Sequence, residues 1–376
     1  MSSLLTRAVL VSVHGHKQLS SAPIDIHLRA TEPQAEWQAA AQEALTKVPV
    51  MILSVLNIAL VIPLVLYVVY TLGLVLPTLA AVESNEATYE PVPTRDEKTD
   101  SKDEKSPLAA APEAEEAGAI KRAPITASIR ATQKHLRTVS SAGWRSLFRG
   151  LGLATIIHIL SGFIVAPMMM ALPGLPAIVP MFLVDVLLVQ LNTAWVHSVI
   201  STSAQPWWHR LPPFGATLKA TILPICGVVG SAALTSGLPT LVLLAMGRPM
   251  VEHKIPGSGL IVRTVEKQTP ADYFLAFAIW LGMMIFAAYP ALIVLTRVQA
   301  SLLPDSEETI VPFDRSLGRT TPQPRACQVM RDAYHSYSGS WGRFYKLVAK
   351  SFVVAVAIFV GFQTLVGVEY GLGLLL

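Results

Sequence analysis

Six long apolar runs constrain what this chain can fold into more than any other feature of the sequence. A helix needs roughly 20 residues to cross a hydrocarbon core of about 30 Å. Runs of that length lie near residues 49–82, 150–172, 176–200, 220–247, 271–299 and 351–375. The runs are continuous and lack the polar alternation of membrane β-strands. With 52% hydrophobic and only 14% charged residues, the chain is predicted to be an all-α integral membrane protein with six transmembrane helices.

Proline interrupts several of these runs, at Pro63, Pro77, Pro167, Pro224, Pro239 and Pro290. Proline destabilises helices in water, but neighbouring helices in a membrane satisfy the backbone groups that it frees. We therefore predict kinked spans, with Pro63 and Pro290 as the helix-kink positions of the first and fifth helices.

Charge separates the polar segments into regions of opposite sign. Residues 1–46 form a polar region that lacks the apolar core of a secretory signal. Residues 83–118 carry eleven Asp and Glu against four Lys and Arg, a composition that cannot bury enough apolar surface to fold. We predict a disordered acidic insert there, open to protein partners. Residues 119–149 carry seven Lys and Arg and no acid, as expected of a segment on a membrane surface.

Two segments between the runs have the spacing of amphipathic helices. One stripe consists of Ile125, Ile129, Thr132, Leu136 and Val139, and the other of Cys327, Met330, Tyr334 and Tyr337. We predict two short surface helices, which lie against the membrane, pack on their own bundle, or do both.

A common motif opens the apolar run after each amphipathic segment. The segment GWRSLFRGLG (143–152) matches SWGRFYKLVA (340–349), with an aromatic residue and then a cation at Phe148 and Arg149, and at Tyr345 and Lys346. A weaker copy is ATLKATILP (216–224), in which Lys219 holds the cation place. Recurrence of this kind indicates internal repeats.

A second motif recurs on the alternate runs. PALIVLTRVQ (290–299) aligns with PLVLYVVYTL (63–72) and QLNTAWVHSV (190–199), which places Arg297, Tyr70 and His197 at one position. We therefore divide the chain into the N-terminal polar region 1–46 and three pseudo-repeats of two helices, 47–172, 173–248 and 249–376. The short spacing between motifs in the second repeat predicts a missing or abbreviated surface helix there.

These motifs resemble those of the mitochondrial carrier (solute carrier 25) family. Each family repeat has an odd helix with PxDxxKxRxQ and an even helix that begins with an aromatic residue, a cation and glycine. Here Pro290, Arg297 and Gln299 match the first motif, and Phe148, Arg149 and Gly150 match the second. The resemblance covers roughly residues 45–376. It implies a multi-pass mitochondrial membrane protein, in the inner rather than the outer membrane, that transports a small metabolite through a central cavity.

The charged gates of the family are missing. The acid and base positions of its odd-helix motif hold Val65 and Val68, Asn192 and Trp195, and Leu292 and Leu295, while the even-helix gate of the last repeat holds Phe362, Gln363 and Val366. Alternating access requires two states of comparable free energy, which ion-pair gates provide. Two alternatives therefore stay open: a non-transporting carrier-like adaptor or scaffold, and an unrelated six-helix protein.

Polar side chains inside the spans are the candidate site residues, because they are costly in lipid. The cavity and substrate candidates are His158, Asp185, Asn192, His197, Arg297 and Gln363. For such residues the alternative role is interhelical packing and hydrogen bonding. The lipid-phosphate candidates are Trp144, Arg149, Gly150, Lys219 and Lys346, where helix starts favour anions and where the resemblance implies cardiolipin. Neither a catalytic nor a metal-binding constellation is present, so we predict no enzyme activity, no cofactor and no nucleic-acid partner.

Overall fold

The structure is a computed structural model of the chain. It describes residues 48, 52, 55–84, 124–139, 143–172, 174–203, 205–254, 261–265, 269–315, 317 and 326–375. The chain divides into two compact units: Pro63–Ile358 forms one, and Met1–Ile62 together with Phe359–Leu376 forms the other. The predicted polar region 1–46 and the predicted insert from residue 85 onward lie outside the described residues.

The described residues are mainly helical. The helices are α1 Val55–Val82, α2 Ile129–Val139, α3 Leu151–Ala171, α4 Ile178–Leu187, α5 Val189–Ile200, α6 Phe214–Ala245, α7 Pro270–Ser301, α8 Ala326–His335 and α9 Trp341–Leu375. Five helical stretches have the length and composition of membrane spans, and the number is six if the pair α4 and α5, bent by 65°, counts as one span. The helical class is thereby confirmed, with five or six helices long and apolar enough to cross a membrane.

The helices expose large apolar side chains where a water-soluble fold would bury them. Within the Pro63–Ile358 unit, Phe163 is 74% exposed, Phe274 74% and Phe286 82%. A continuous apolar surface of this kind indicates contact with lipid or with another protein. Hydroxyl side chains in α6 satisfy their donors within the helix, since Thr221 Oγ1 donates to Thr217 O at 2.8 Å. The surface therefore agrees with a multi-pass membrane protein.

Three of the apolar helices are irregular near the middle. Residues Tyr67–Val75 of α1 and Met284–Ala288 of α7 are π-helical, and each π segment ends two residues before a proline, Pro77 or Pro290. Proline lacks an N–H donor and crowds the preceding turn, which favours a wider turn. The third irregularity is the bend between α4 and α5. The segments that follow contact one another in every pairing: Leu76–Val82, α5 and Tyr289–Ser301.

The largest core forms where these three segments meet. Its buried members include Leu76, Leu79, Ile200 and Ala300, and Leu136 of α2 joins them. Of the amphipathic stripe predicted for α2, Thr132 and Leu136 are buried and Val139 is exposed. The surface helix α2 therefore packs part of its apolar face on the bundle.

One polar connection folds as a β-hairpin that the sequence did not predict. Strands β1 (Met250–Lys254) and β2 (Ile261–Val265) pair antiparallel, with Met250 opposite Val265. Helix α7 then begins at a capping box, in which Asp272 N donates to Thr269 Oγ1 at 3.3 Å and Thr269 N donates to Asp272 Oδ2 at 2.8 Å. The Asp272 carboxylate also pairs with Arg248 at 2.9 Å, which joins the hairpin connection to the start of the span.

The connection between α5 and α6 is short. Among its described residues it contains a 3₁₀-helix, Trp207–Arg210, and no surface α-helix. The short motif spacing of this region predicted a missing or abbreviated surface helix, and the 3₁₀-helix agrees with that prediction.

The predicted start of the acidic insert at Glu83 was wrong. Glu83 is 1% exposed, and its carboxylate accepts from Ile125 N at 2.6 Å and from Thr126 N at 3.2 Å. The next residue is also ordered, because Ser84 N donates to Pro312 O at 2.8 Å. Composition averaged over a segment misses a single carboxylate that binds the free amides of a helical turn. The residues on either side of the region 85–123 are therefore bonded to each other, through Glu83 and the amides of Ile125 and Thr126.

Candidate functional site

A cavity of about 210 Å³, lined by apolar side chains and four polar ones, lies between α4, α5, α6 and the last segment of α7. It brings together two of the predicted cavity candidates, Asp185 and Asn192. The bend between α4 and α5 lies between these two positions in the chain. The full lining consists of Asp185, Val189, Asn192, Trp195, Val196, Ile225, Val228, Leu292, Leu295, Thr296 and Gln299.

Four polar side chains that line this cavity are not bonded to other described residues. Within the described part of the chain, no hydrogen bond or ion pair reaches the side chains of Asp185, Asn192, Thr296 and Gln299. None of their polar atoms is among the buried atoms that lack a partner. Polar groups among apolar helices require a partner, so these groups are free for solvent or a ligand.

The sequence did not single out Thr296 and Gln299 as cavity residues. Gln299 was matched only to a family motif, and Thr296 stands between Leu295 and Arg297 in an otherwise apolar run. A polar residue six positions after the proline at the kink, Pro290, was the signal available. Its placement in the same cavity as Asp185, more than a hundred residues earlier in the chain, depends on the tertiary packing of α7 on α5 and α6.

The side chain of Trp195 lines the cavity, and a hydrogen bond to Tyr70 fixes the position of its indole ring. Its Nε1 donates to Tyr70 Oη at 3.1 Å, and the Tyr70 hydroxyl donates to the carbonyl of Arg149. Gly150, in the left-handed conformation with φ of +73°, lies against the same two rings. This contact ties the cavity wall to the start of α3.

Replacing Gly150 by alanine is expected to destabilise the fold by about 1–3 kcal/mol. A Cβ there would lie 3.1 Å from Trp195 Cδ1 and 3.3 Å from Tyr70 Oη, on a backbone that L-residues rarely adopt. Thermal unfolding of the detergent-solubilised protein measures the change. The matched control is Gly152→Ala, whose Cβ meets nothing within 4 Å. Equal unfolding temperatures for the two variants would contradict the prediction.

Arg297, a predicted cavity candidate, lies outside the cavity and bonds a helix end. It is 1% exposed, and its Nη1 donates to Ala81 O at 3.1 Å and Val82 O at 3.3 Å, the last carbonyls of α1. The guanidinium also lies over the rings of Phe313 and Tyr337, at 5.6 and 5.5 Å from their centroids. A cation at the C-terminal end of a helix satisfies otherwise unpaired carbonyls.

The other two meeting segments have similar side-chain contacts at their ends. Arg149 Nε donates to Ser198 O at 3.2 Å, and its Nη2 donates to Ser201 O, at the end of α5. His197 Nε2 lies 2.9 Å from Gln299 O, near the end of α7. His197 is buried and does not line the cavity. The ends of Leu76–Val82, α5 and Tyr289–Ser301 are therefore each bonded by a side chain from outside that segment. These side chains are Arg297, Arg149 and His197, respectively.

A second cavity, of about 630 Å³, lies at the start of α3 and combines two of the lipid-phosphate candidates, Arg149 and Gly150. Arg210 adds a second guanidinium. It donates to Ser203 O at 2.7 Å and lies 3.7 Å from the Glu307 carboxylate. Basic side chains beside the first amides of a helix favour an anion.

The remaining candidates are placed elsewhere. Trp144, Lys219 and Lys346 are exposed and line neither cavity. His158 is also exposed, with Nδ1 2.8 Å from Ala154 O of its own helix. Gln363 is an exposed residue of α9. Among the described residues, no group of three or more His, Cys, Asp and Glu side chains has an arrangement that could hold a metal ion.

Fold and site together describe a helical protein with five or six helices long and apolar enough to cross a membrane, and a cavity between helices that contains four polar side chains. No protein-family profile, no curated protein and no solved structure matches this chain.

Proposed function

We propose that this chain is a carrier-like membrane protein that moves a small polar solute through the cavity at Asp185. One observation carries the proposal: four polar side chains without protein partners line a single cavity between apolar helices. Groups that served only to hold helices together would be bonded to one another or to backbone. Side chains left unpaired between apolar helices are instead available to a solute.

The order of the helices is compatible with three two-helix repeats, and this order supports the carrier-like part of the proposal. An irregularity precedes Pro77, Gln190 and Pro290 by two residues in each case, at Val75, Leu188 and Ala288. Each of these helices is followed by a short helix and then by a long apolar one: α2 and α3, the 3₁₀-helix and α6, α8 and α9. On this alignment Pro77, rather than Pro63, corresponds to Pro290.

The resemblance to the mitochondrial carrier family assigns four of the cavity residues to gate positions. Asn192 and Trp195 stand at the acid and base positions of one repeat and Leu292 and Leu295 at those of another, and all four line the cavity. Closure here would depend on packing rather than on ion pairs. Closing such a gate desolvates no charge.

Asp185→Asn is expected to lower the initial rate of solute uptake by about tenfold or more, the effect of losing one charged contact worth roughly 1.4 kcal/mol or more. The test uses the purified chain in liposomes with radiolabelled amines, amino acids, carboxylates and nucleotides. Asp305→Asn is the matched control, because the Asp305 side chain is 71% exposed and lies outside the cavity. Failure of the folded protein to transport any solute class would overturn the proposal.

The second candidate function is that of a non-transporting adaptor or scaffold. It is favoured by the contacts of Arg297, Arg149 and His197, which hold all three segment ends together. Transport requires at least one such contact to open and re-form. Cross-linking the ends of α1 and α7 through introduced cysteines separates the two functions, since a transporter would lose uptake and a scaffold would keep partner binding through the insert.

We also propose a mitochondrial membrane, the inner rather than the outer, and a lipid phosphate such as that of cardiolipin in the cavity at Arg149. Both follow from the family resemblance, and the two guanidinium groups of that cavity support the second. Protease protection in fractionated mitochondria tests the location, since a site cleaved in intact organelles at the same rate as in mitoplasts would contradict the inner membrane.

A further inference from the structure

We infer that the solute of the Asp185 cavity is a small nitrogen cation, a protonated amine or guanidinium, and not a carboxylate or phosphate. The inference rests on the proposed function and names its substrate class. Of the residues that line the cavity, one is a carboxylate and none is a base. An anionic solute would therefore meet a like charge without any compensating cation.

The unpaired charge of the Asp185 carboxylate also favours a cation. Asp185 has no ion-pair partner among the described residues, although it lies between apolar helices. An ionised acid in such surroundings is costly unless an opposite charge accompanies it. A bound cation supplies that charge, which makes occupation by a cation more favourable than occupation by a neutral molecule of the same shape.

Three buried or half-buried basic side chains of the bundle are engaged elsewhere. Arg297 bonds the end of α1, and Arg149 bonds the end of α5. His197 Nε2 lies 2.9 Å from the backbone oxygen of Gln299. Gln299 itself lines the cavity. None of the three lines the cavity, so the Asp185 charge is left for the solute.

The other polar residues suit a donor-rich cation. Asn192, Thr296 and Gln299 provide oxygen acceptors for the several N–H donors of an ammonium or guanidinium group. Trp195 adds an indole ring, the aromatic side chain that attracts cations most strongly. The indole is held by its bond to Tyr70, so little side-chain entropy is lost when a cation binds to it.

The volume limits the size of the solute. The cavity of about 210 Å³ has room for about seven waters at ~30 Å³ each, or for a solute of roughly five to ten non-hydrogen atoms. A nucleotide or a large cofactor is too big for this space. A methylated guanidine or a short-chain amine fits.

The test compares three solutes of nearly equal size and shape that differ in charge: methylguanidinium, methylurea and propionate. The full chain is reconstituted into liposomes, and uptake is measured above that of empty liposomes. Methylguanidinium is expected to enter at least about tenfold faster than the other two. Asp185→Asn should abolish that preference. Moving the carboxylate with the double variant D185N/N192D should restore part of it, because both positions line the same cavity.

The outcomes separate the inference from the proposed function. Propionate uptake that is equal to or faster than methylguanidinium uptake would overturn the cation inference while leaving transport intact. Saturable methylguanidinium binding in equilibrium dialysis, lost in Asp185→Asn but without uptake, would keep the cation site and overturn transport. Absence of both binding and uptake in a folded sample, verified by its unfolding transition, would overturn both.

Discussion

Arg297→Ala is expected to lower the free energy of unfolding by about 3–5 kcal/mol, the cost of breaking a buried charged interaction. The guanidinium is buried, bonds the last two carbonyls of Leu76–Val82 and also donates to Ser336 Oγ at 2.9 Å. Alanine would leave these carbonyls without a donor and open a void between the rings of Phe313 and Tyr337. Chemical unfolding in detergent, followed by tryptophan fluorescence, measures the loss.

Two further variants show whether the several hydrogen bonds of the Arg297 guanidinium are responsible for this stability. Arg297→Lys keeps the charge, but a single ammonium cannot form the forked contacts or stack on two rings, so it should recover less than half of the lost stability. Arg130→Ala removes an exposed base from α2 and should change stability by less than about 0.5 kcal/mol. Similar effects of Arg297→Ala and Arg130→Ala would show that the buried contacts contribute little.

Glu83→Gln is expected to destabilise the protein by about 3 kcal/mol. Its carboxylate holds the amides of Ile125 and Thr126 and the Thr126 hydroxyl, and it lies 3.4 Å from Arg343 Nη1. The amide of glutamine keeps one acceptor oxygen, but it leaves the mostly buried guanidinium of Arg343 without its counter-charge. The loss should appear as a lower midpoint of chemical unfolding.

A double-mutant cycle with Arg343→Met isolates the ion pair from the other contacts. A coupling energy of about 1 kcal/mol or more between the two positions is expected for groups in direct contact. The control Glu308→Gln removes an exposed acid and should leave the midpoint unchanged. Additive effects of Glu83→Gln and Arg343→Met would limit the role of Glu83 to its bonds with Ile125 and Thr126.

The helices were predictable because the signals for them are local. A run of apolar residues long enough to cross a membrane is read directly from the chain, and the stripe that contains Thr132 and Leu136 identified α2. The abbreviated connection before α6 followed from motif spacing alone. The hairpin β1–β2 escaped prediction because two five-residue strands in a mixed polar segment carry little periodicity.

The roles of individual polar residues were less predictable. Asp185 and Asn192 were selected as cavity candidates because a polar group inside an apolar run is conspicuous, and both line the cavity between α4 and α7. The same reasoning selected Arg297 and His197, whose side chains instead bond the ends of neighbouring segments. A residue type indicates that a partner is needed, but only packing decides whether that partner is backbone or a solute.

By itself, the sequence determined the helical class, the positions of the apolar runs, the kink near Pro290 and the short list of polar residues from which the site is drawn. Each depends on neighbours within a few turns of helix. Only the tertiary structure decided that the buried Glu83 carboxylate bonds the amide of Ile125 and that Arg297 bonds the end of α1. It also decided that Thr296 and Gln299 line the same cavity as Asp185. These depend on contacts between residues far apart in the chain, which are set by how the helices pack and where they bend.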